Sequence, residues 1–95
     1  MAIYMLKRVK KRDGSIVKFD RGKIERAIER AAFEVLNDKD ESLNVAHRVT
    51  KIVLTRLSEF FKVKIPGIES IQDMVENVLM SEGYNHIARN YILYR

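Results

Sequence analysis

The spacing of apolar and polar positions changes along the chain. From residue 8 to residue 19 the two types roughly alternate, whereas beyond residue 24 apolar positions recur every three or four residues. Alternation is typical of a strand, and the longer spacing is typical of a helix with one buried face. The chain is therefore expected to open with strands and to continue mainly as helices.

The opening strands are predicted to form a hairpin around Asp13-Gly14, which separates two alternating runs. An Asp-Gly pair is a strong signal for a two-residue turn, because both turn residues must accept a positive φ. Pairing outward from that turn sets Lys10 opposite Val17 and Val9 opposite Lys18. Both faces of the hairpin would then mix cationic and apolar side chains, which suits a surface that meets an anion with an apolar part.

Four helices are predicted over 24–35, 43–61, 68–79 and 85–95, with the polar run 37–42 as a connection. Asp20 and Gly67 are candidate N-caps of the first and third helices. The segment 62–65 alternates briefly before Pro66-Gly67 and is predicted as a third strand. The expected fold class is α+β, a four-helix bundle capped by a small three-stranded sheet made of the N-terminal hairpin and one short strand.

The length and composition indicate one domain over residues 1–95. The last helix is still in pattern at Arg95, without a terminating Gly or Pro, so we expect a fragment or an N-terminal module of a longer protein. The sequence has no run of about 18 apolar residues and no signal-peptide layout, which favours a cytoplasmic protein over a membrane or secreted one. Cysteine is absent, so disulfides and cysteine-ligated zinc are excluded.

The net charge of +5 is concentrated on the hairpin. Residues 1–20 hold six basic and two acidic side chains, whereas the remaining 75 residues hold twelve basic and eleven acidic ones. The hairpin is therefore either a sheet edge protected by lysines or an anion site, in which Lys11 and Arg12 approach a polyphosphate. Lys23 favours the anion site, because a cation in the first turn of a helix is poorly placed unless an anion joins it.

No constellation of catalytic residues is present. The sequence lacks a Gly-rich phosphate loop, a nucleophile elbow and a cysteine nucleophile. His47 and His86 stand alone in predicted helices, without the spacing of metal ligands. We therefore predict no catalytic residue and no metal-binding residue, and expect no enzymatic activity from this chain alone.

Four motifs stand out along the chain: VKKRDG at 9–14, FD at 19–20 with KI at 23–24, IESIQDMVE at 68–76, and ARNYILYR at 88–95. In this order and spacing they resemble the ATP-cone domain, the allosteric nucleotide-binding module at the N-terminus of many ribonucleotide reductases. The resemblance covers roughly residues 6–95 and is greatest to the anaerobic, glycyl-radical reductases.

This resemblance implies that ATP and dATP compete for one site and set the overall activity of a reductase, with ATP activating and dATP inhibiting. Mg²⁺ is expected to accompany the nucleotide. The implied partners are the catalytic domain of the parent reductase and, in a nucleotide-dependent homo-oligomer, further copies of the chain. The protein would be a regulatory domain without catalytic residues of its own.

The resemblance also assigns roles to individual residues. Val9 would contact the base through its backbone, and Ile24 would pack against the base or the ribose. Lys11, Arg12 and Lys23 would hold phosphates.

Three further positions complete the implied site. Gln72 falls where the family places a polar contact to phosphate or ribose. Asp20 falls at a position of base or sugar contact, and its alternative role is that of a helix cap. Val17 falls where some members have an acidic group that reads the adenine amino group, so this chain departs from the pattern there.

Two other functions remain as alternatives, a nucleic-acid-binding domain that uses the basic hairpin and an oligomerisation domain without a ligand. Nucleic-acid binding needs several spread phosphate contacts and a steep dependence on salt. The nearly balanced charge of the helical part and the scarcity of aromatic residues on the hairpin make nucleic acid the less favoured partner.

Overall fold

Four helices follow a short hairpin in the computed structural model, which describes residues 6–60 and 65–95. The elements are β1 (Arg8–Lys10), β2 (Ile16–Lys18), α1 (Arg21–Leu36), α2 (Lys39–Phe60), α3 (Ile68–Ser81) and α4 (Asn85–Tyr94). The predicted α+β class and the four helices are confirmed. No described helix is both long enough and apolar enough to cross a membrane.

The helices pack in a ring, in which α1 and α3 each contact α2 and α4. Their apolar positions recur every three or four residues, so each helix presents one apolar face to the others. The buried helical side chains that form this core are Ile24, Ile28, Ala31, Ala32, Val45, Ala46, Val49, Val53, Leu57, Ile71, Val75, Val78, Leu79, Ile87, Ala88 and Tyr91. Removal of their apolar surface from water, at about 25 cal/mol per Å², is the main force that holds the helices together.

Helix α2 begins at Lys39, four residues before its predicted start. The carboxylate of Asp38 accepts a hydrogen bond from the backbone N–H of Glu41 at 3.0 Å, so Asp38 closes the first turn. Asp40 and Glu41 lie in that turn, where the positive end of the helix dipole favours acidic side chains. The predicted connection over 37–42 is therefore shortened to Asn37 and Asp38.

The hairpin forms, but the predicted pairing of its strands was wrong by one residue. Val9 pairs with Val17, not with Lys18. The turn has three residues instead of two, since the backbone N–H of Lys11 donates to the carbonyl of Ser15 at 2.8 Å. Such a loop combines a type I turn with a left-handed residue. Gly14, at φ 89°, supplies that residue.

Asp13 stabilises this longer turn. Its carboxylate oxygen Oδ1 accepts hydrogen bonds from the backbone N–H of Ser15 at 2.9 Å and from the Ser15 hydroxyl at 2.6 Å. Both hydrogen bonds lower the pKa of Asp13 below its ordinary value, and the bond from the hydroxyl has the larger effect. An Asp-Gly pair followed by Ser thus supports the three-residue turn.

The corrected register redistributes the side chains of the hairpin. Because directly opposed residues share a face, Val9 and Val17 now lie on the same side, where Val9 is buried against the helices. Arg8 and Lys18 are opposed on the other side and are exposed. Most of the apolar residues therefore face the helices, and most of the cations face outward.

The expected third strand is not found, because the sheet of the described residues has two strands. Residues 62–64 of that predicted strand lie outside the described residues, and Ile65 is not in a strand. The segment that follows does reach the hairpin. The backbone N–H of Lys10 donates to the carbonyl of Pro66 at 2.9 Å, and Lys10 forms an isolated parallel bridge with Gly67. Since Gly67 is the N-cap of α3, this contact joins the hairpin to the start of that helix.

Candidate functional site

A cavity of about 710 Å³ lies between the hairpin, the start of α1 and the first turns of α3. Its lining residues are Val9, Lys11, Arg12, Asp13, Val17, Lys18, Phe19, Asp20, Lys23, Ile24, Ile68, Ile71, Gln72 and Arg95. Small-molecule sites in proteins usually measure about 300–1,000 Å³. The cavity is therefore large enough for a mononucleotide.

All eight residues that the sequence assigned to a nucleotide site line this one cavity. They are Val9, Lys11, Arg12, Val17, Asp20, Lys23, Ile24 and Gln72. The hairpin, α1 and α3 each contribute to this group, although they are distant along the chain. Their convergence is a property of the fold, whereas their roles toward a ligand remain predictions.

Six further lining residues were not predicted for the site. They are Asp13, Lys18, Phe19, Ile68, Ile71 and Arg95. Ile71 is buried in the core and Ile68 packs against it, so the apolar face of α3 continues into the cavity wall. Arg95 belongs to the last motif of the resemblance, which was the only signal in the sequence that could have pointed to it.

One part of the cavity wall is apolar. Val9 and Ile24 are 7% and 8% exposed, and Ile71 is 2% exposed, so these side chains form a wall continuous with the core. Phe19 and Ile68 pack against the same core from the edges. A flat apolar group such as a nucleobase can be removed from water against such a wall.

The polar part of the lining is mainly cationic, with five basic residues and two acidic ones. Both acidic groups are already engaged, because Asp13 is bonded to Ser15 and Asp20 accepts from the backbone N–H of Gly22 at 2.9 Å. The cavity therefore presents a positive field with an apolar wall, which favours an anion that carries an apolar part.

Asp20 is the N-cap of α1, as predicted. Its second carboxylate oxygen lies 3.8 Å from Nη2 of Arg26. A Cβ on Gly22 would lie 2.9 Å from Nη1 of Arg26 and 3.1 Å from Oδ1 of Asp20, so the absence of a side chain at Gly22 leaves room for this cap. The predicted contact of Asp20 with a base or sugar is a separate matter and stays a prediction.

Lys23 lies in the first turn of α1, a turn that contains no acidic residue. Within the described residues, Lys11, Lys18 and Lys23 form no ion pair. Lys18 is opposed to Arg8 on the outward face of the hairpin. Lys11 and Lys23 therefore supply the ammonium groups at the cavity that have no ion-pair partner in the described part of the chain. The positive end of the helix dipole adds to their field.

The two arginines of the lining are paired with carboxylates of α3. Arg12 places Nε 3.5 Å from Oε1 of Glu69. Arg95 donates through Nη1 to Asp73 at 3.0 Å and to Glu76 at 2.9 Å. The hydrogen bond to Asp73 is the main reason that the pKa of Arg95 is raised. The two guanidinium groups thus differ in how firmly they are held.

Gln72 has a buried side-chain oxygen, Oε1, that accepts no hydrogen bond from any described residue. Leaving such an acceptor without a partner is unfavourable by about 1–3 kcal/mol. Because Gln72 lines the cavity, a hydroxyl or amino group of a ligand could supply the missing donor.

No group of three or more His, Cys, Asp or Glu residues that could hold a metal ion occurs in the described part of the chain.

The helical ring, the hairpin and the cationic cavity with its apolar wall together define a small α+β domain with a candidate ligand site. The chain matches the ATP cone domain family over residues 7–95, and it belongs to that family. ATP cone domains are in general allosteric nucleotide-binding modules of ribonucleotide reductases. The predicted family membership is thereby confirmed.

Curated relatives are reductases of several kinds. The vitamin B12-dependent ribonucleoside-diphosphate reductase of Thermoplasma acidophilum is 38% identical over 96 aligned positions, which cover 96% of this chain and 12% of that protein. The ribonucleoside-diphosphate reductase subunit alpha of Chlamydia pneumoniae is 36% identical, over 90% of this chain and 9% of that protein. The anaerobic ribonucleoside-triphosphate reductase of Salmonella typhimurium is 39% identical, over 96% of this chain and 12% of that protein.

The chain thus spans between 9% and 12% of the length of these relatives. An anaerobic enzyme is among these relatives, as the motifs predicted, but identities of 36–39% to three kinds of reductase do not single out the anaerobic kind. The part of the relatives outside this span is not represented in the chain.

Proposed function

We propose that this chain binds ATP and dATP in the cavity between the hairpin and the helices, and thereby controls the overall activity of a ribonucleotide reductase of which it is a part. The observation that carries this proposal is the arrangement of one cavity, in which unpaired lysines stand beside a buried apolar wall. Membership of the ATP cone family supports the choice of an adenine nucleotide.

The triphosphate lies toward Lys11, Arg12 and Lys23 in this proposal. Lys11 and Lys23 come from the hairpin and from α1, so a triphosphate between them neutralises cations on both sides of the cavity. Each charge-assisted hydrogen bond of this kind contributes about 1.5–3 kcal/mol. The adenine packs against Ile24 and meets the backbone of Val9, where both residues are almost fully buried.

The sugar lies beside Gln72, whose unpaired Oε1 accepts a hydrogen bond from a ribose hydroxyl. The Oε1 acceptor fits a sugar hydroxyl and not an ionised phosphate, because an ionised phosphate has acceptors but no donor to offer. Val17 lines the same cavity and adds an apolar contact near the base. Asp20 stays mainly a helix cap in this arrangement, with its carboxylate already bonded to Gly22.

Mg²⁺, where it accompanies the nucleotide, would be held by the phosphates and by water. Magnesium in proteins typically binds one or two carboxylates together with substrate phosphates. The two carboxylates of this lining, Asp13 and Asp20, already accept hydrogen bonds from neighbouring residues. The protein residues therefore contact the ligand mainly through cations and not through the metal.

Control of the reductase follows if ATP and dATP favour different arrangements of this domain against the catalytic domain or against further copies of the chain. ATP then activates and dATP inhibits, with a coupling free energy of about 1–3 kcal/mol. Because such coupling is reciprocal, the docked arrangement must change the affinity for the nucleotide by the same factor by which the nucleotide changes the docking equilibrium.

Isothermal titration of the chain with ATP, dATP and GTP in the presence of Mg²⁺ tests the proposal. We expect saturable binding of both adenine nucleotides with micromolar dissociation constants, corresponding to about −8 kcal/mol, and much weaker binding of GTP. Lys11→Ala is expected to weaken ATP binding about 10- to 150-fold, the equivalent of one charge-assisted hydrogen bond. Lys51→Ala is a matched control, since Lys51 is exposed on α2 and does not line the cavity.

The absence of any nucleotide binding would contradict the proposal. So would equal losses in the Lys11→Ala and Lys51→Ala variants, which would indicate a general effect of charge. Binding of nucleic acid with a steep dependence on salt, in place of nucleotide binding, would favour the alternative use of the hairpin.

A further inference from the structure

One ion pair connects the tip of the hairpin to the first turn of α3. It joins Nε of Arg12 to Oε1 of Glu69 at 3.5 Å, and the two side chains are 64% and 65% exposed. Arg12 lines the cavity, whereas Glu69 does not. The Glu69 carboxylate therefore lies at the rim of the cavity and attracts the Arg12 guanidinium group, which borders the ligand space.

This pair differs from the pairing of the other arginine in the lining. Arg95 is 24% exposed and donates hydrogen bonds to both Asp73 and Glu76. Arg12 has a single carboxylate partner among the described residues, and the 3.5 Å contact is longer than a normal charge-assisted hydrogen bond of about 2.7–2.9 Å. Arg95 is therefore fixed to α3, while Arg12 is held weakly enough to be exchanged.

We infer that Glu69 is an affinity-determining residue of the nucleotide site, which competes with the phosphates of the ligand for Arg12. This inference rests on the proposed function. In the free protein Arg12 is paired with Glu69, and a bound phosphate takes its place because a phosphate accepts two parallel hydrogen bonds from a guanidinium group. Glu69 thereby raises the nucleotide concentration at which the site fills.

The position of Glu69 on α3 keeps the carboxylate in place after Arg12 leaves. Glu69 is the acidic residue of the first turn of α3. The helix dipole stabilises a carboxylate there, so Glu69 does not depend on Arg12. The competition is consequently between two anions for one cation, and its strength is that of an exposed ion pair.

A double-mutant cycle on ATP affinity tests the inference, with Glu69→Gln, Arg12→Gln and the double variant. Exposed pairs contribute about 0.2–1 kcal/mol, so Glu69→Gln is expected to tighten ATP binding about 1.5- to 5-fold. In the Arg12→Gln background the same change is expected to have no effect. Glu41→Gln is the matched control, because Glu41 occupies the first turn of α2 and does not line the cavity.

Three results would overturn the inference. ATP affinity that is unchanged or weaker in Glu69→Gln would show that Glu69 does not compete for Arg12. A gain that persists in the Arg12→Gln background would show repulsion acting directly on the phosphates. An equal gain in Glu41→Gln would show a general charge effect. In each case ATP still binds and still depends on Lys11, so the proposed function stands, whereas a chain that binds no ATP removes both.

Discussion

Replacement of Lys23 by Gln is expected to change stability and affinity in opposite directions. Gln has nearly the same helix propensity as Lys, so the substitution removes mainly the charge. Lys23 lies in the first turn of α1, where no acidic residue offsets it and no described residue forms an ion pair with it. The positive end of the helix dipole therefore repels the ammonium group in the free protein.

The two effects can be given magnitudes. A charge at a helix terminus contributes about 0.3–1 kcal/mol, so the free energy of unfolding without nucleotide is expected to rise by that amount in Lys23→Gln. For a domain of this size the midpoint of thermal unfolding would rise by roughly 1–8 °C. ATP binding is expected to weaken about 10- to 150-fold, because one charge-assisted hydrogen bond of about 1.5–3 kcal/mol is lost.

Urea unfolding followed by circular dichroism measures the first effect, and calorimetric titration with ATP measures the second. Lys39→Gln is the matched control, since Lys39 starts α2 beside Asp40 and Glu41, which already offset its charge. That control is expected to change neither quantity appreciably. A less stable Lys23→Gln protein with unchanged ATP affinity would refute the reasoning, because Lys23 would then serve the fold and not the ligand.

Three further predictions concern stability. Thr50→Val is expected to raise the free energy of unfolding by about 1 kcal/mol, because the buried Thr50 hydroxyl has no hydrogen-bond partner among the described residues. Thr55→Val is the control in the same helix, because the Thr55 hydroxyl donates to the Lys51 carbonyl at 3.0 Å. An equal gain in the free energy of unfolding of this variant, measured with urea, would contradict the argument. Asp20→Ala is expected to lower the free energy of unfolding by about 1 kcal/mol through loss of the N-cap, whereas Asp20→Ser should retain most of the stability. Equal losses in the two variants would contradict the role of Asp20 as a cap. Burial raises the pKa of Tyr91 from 10.0 to about 12, so the unfolded chain loses this proton first and stability falls as the pH rises from 10 toward 12. The free energy of unfolding, measured across that range, should fall less steeply in Tyr91→Phe than in the unmodified chain. An identical fall in the two proteins would refute the assignment.

The helices were predictable because their signal repeats over many residues. Four or more apolar positions at helical spacing identify a helix even when its ends are uncertain. The start of α2 was missed because its first turn is charged and carries no apolar residue, so the cap at Asp38 was the only local signal. Periodicity therefore locates the buried part of a helix better than its solvated ends.

The hairpin shows a different limit of prediction. Asp13-Gly14 is compatible with a two-residue turn and with a three-residue turn, since Gly accepts the positive φ that each requires. The choice depends on Ser15, whose backbone and hydroxyl both donate to Asp13. A shift of one residue moves every side chain to the opposite face, so a local turn preference decided which side chains face the helices.

Charge and position assigned Lys11, Arg12 and Lys23 to an anion site, and the resemblance supplied the other five predicted residues of the cavity. The contacts between lining residues and their neighbours were not predicted. The pairing of Arg12 with Glu69 depends on how the hairpin tip is placed against α3. Neither spacing nor periodicity contains that information, because the two residues belong to elements separated by α1 and α2. Such contacts arise only when the tertiary structure brings distant elements together.

The link between Lys10 and Pro66 joins the two sides of the cavity through main-chain atoms alone. Its donor is the Lys10 amide and its acceptor is the Pro66 carbonyl, so the side chain of Lys10 takes no part in it. The spacing between the hairpin and α3 is therefore set in part by main-chain atoms, which remain in place when a lining side chain is replaced. Within such a frame, substitution can change the ligand that a domain prefers while the dimensions of its binding site are preserved.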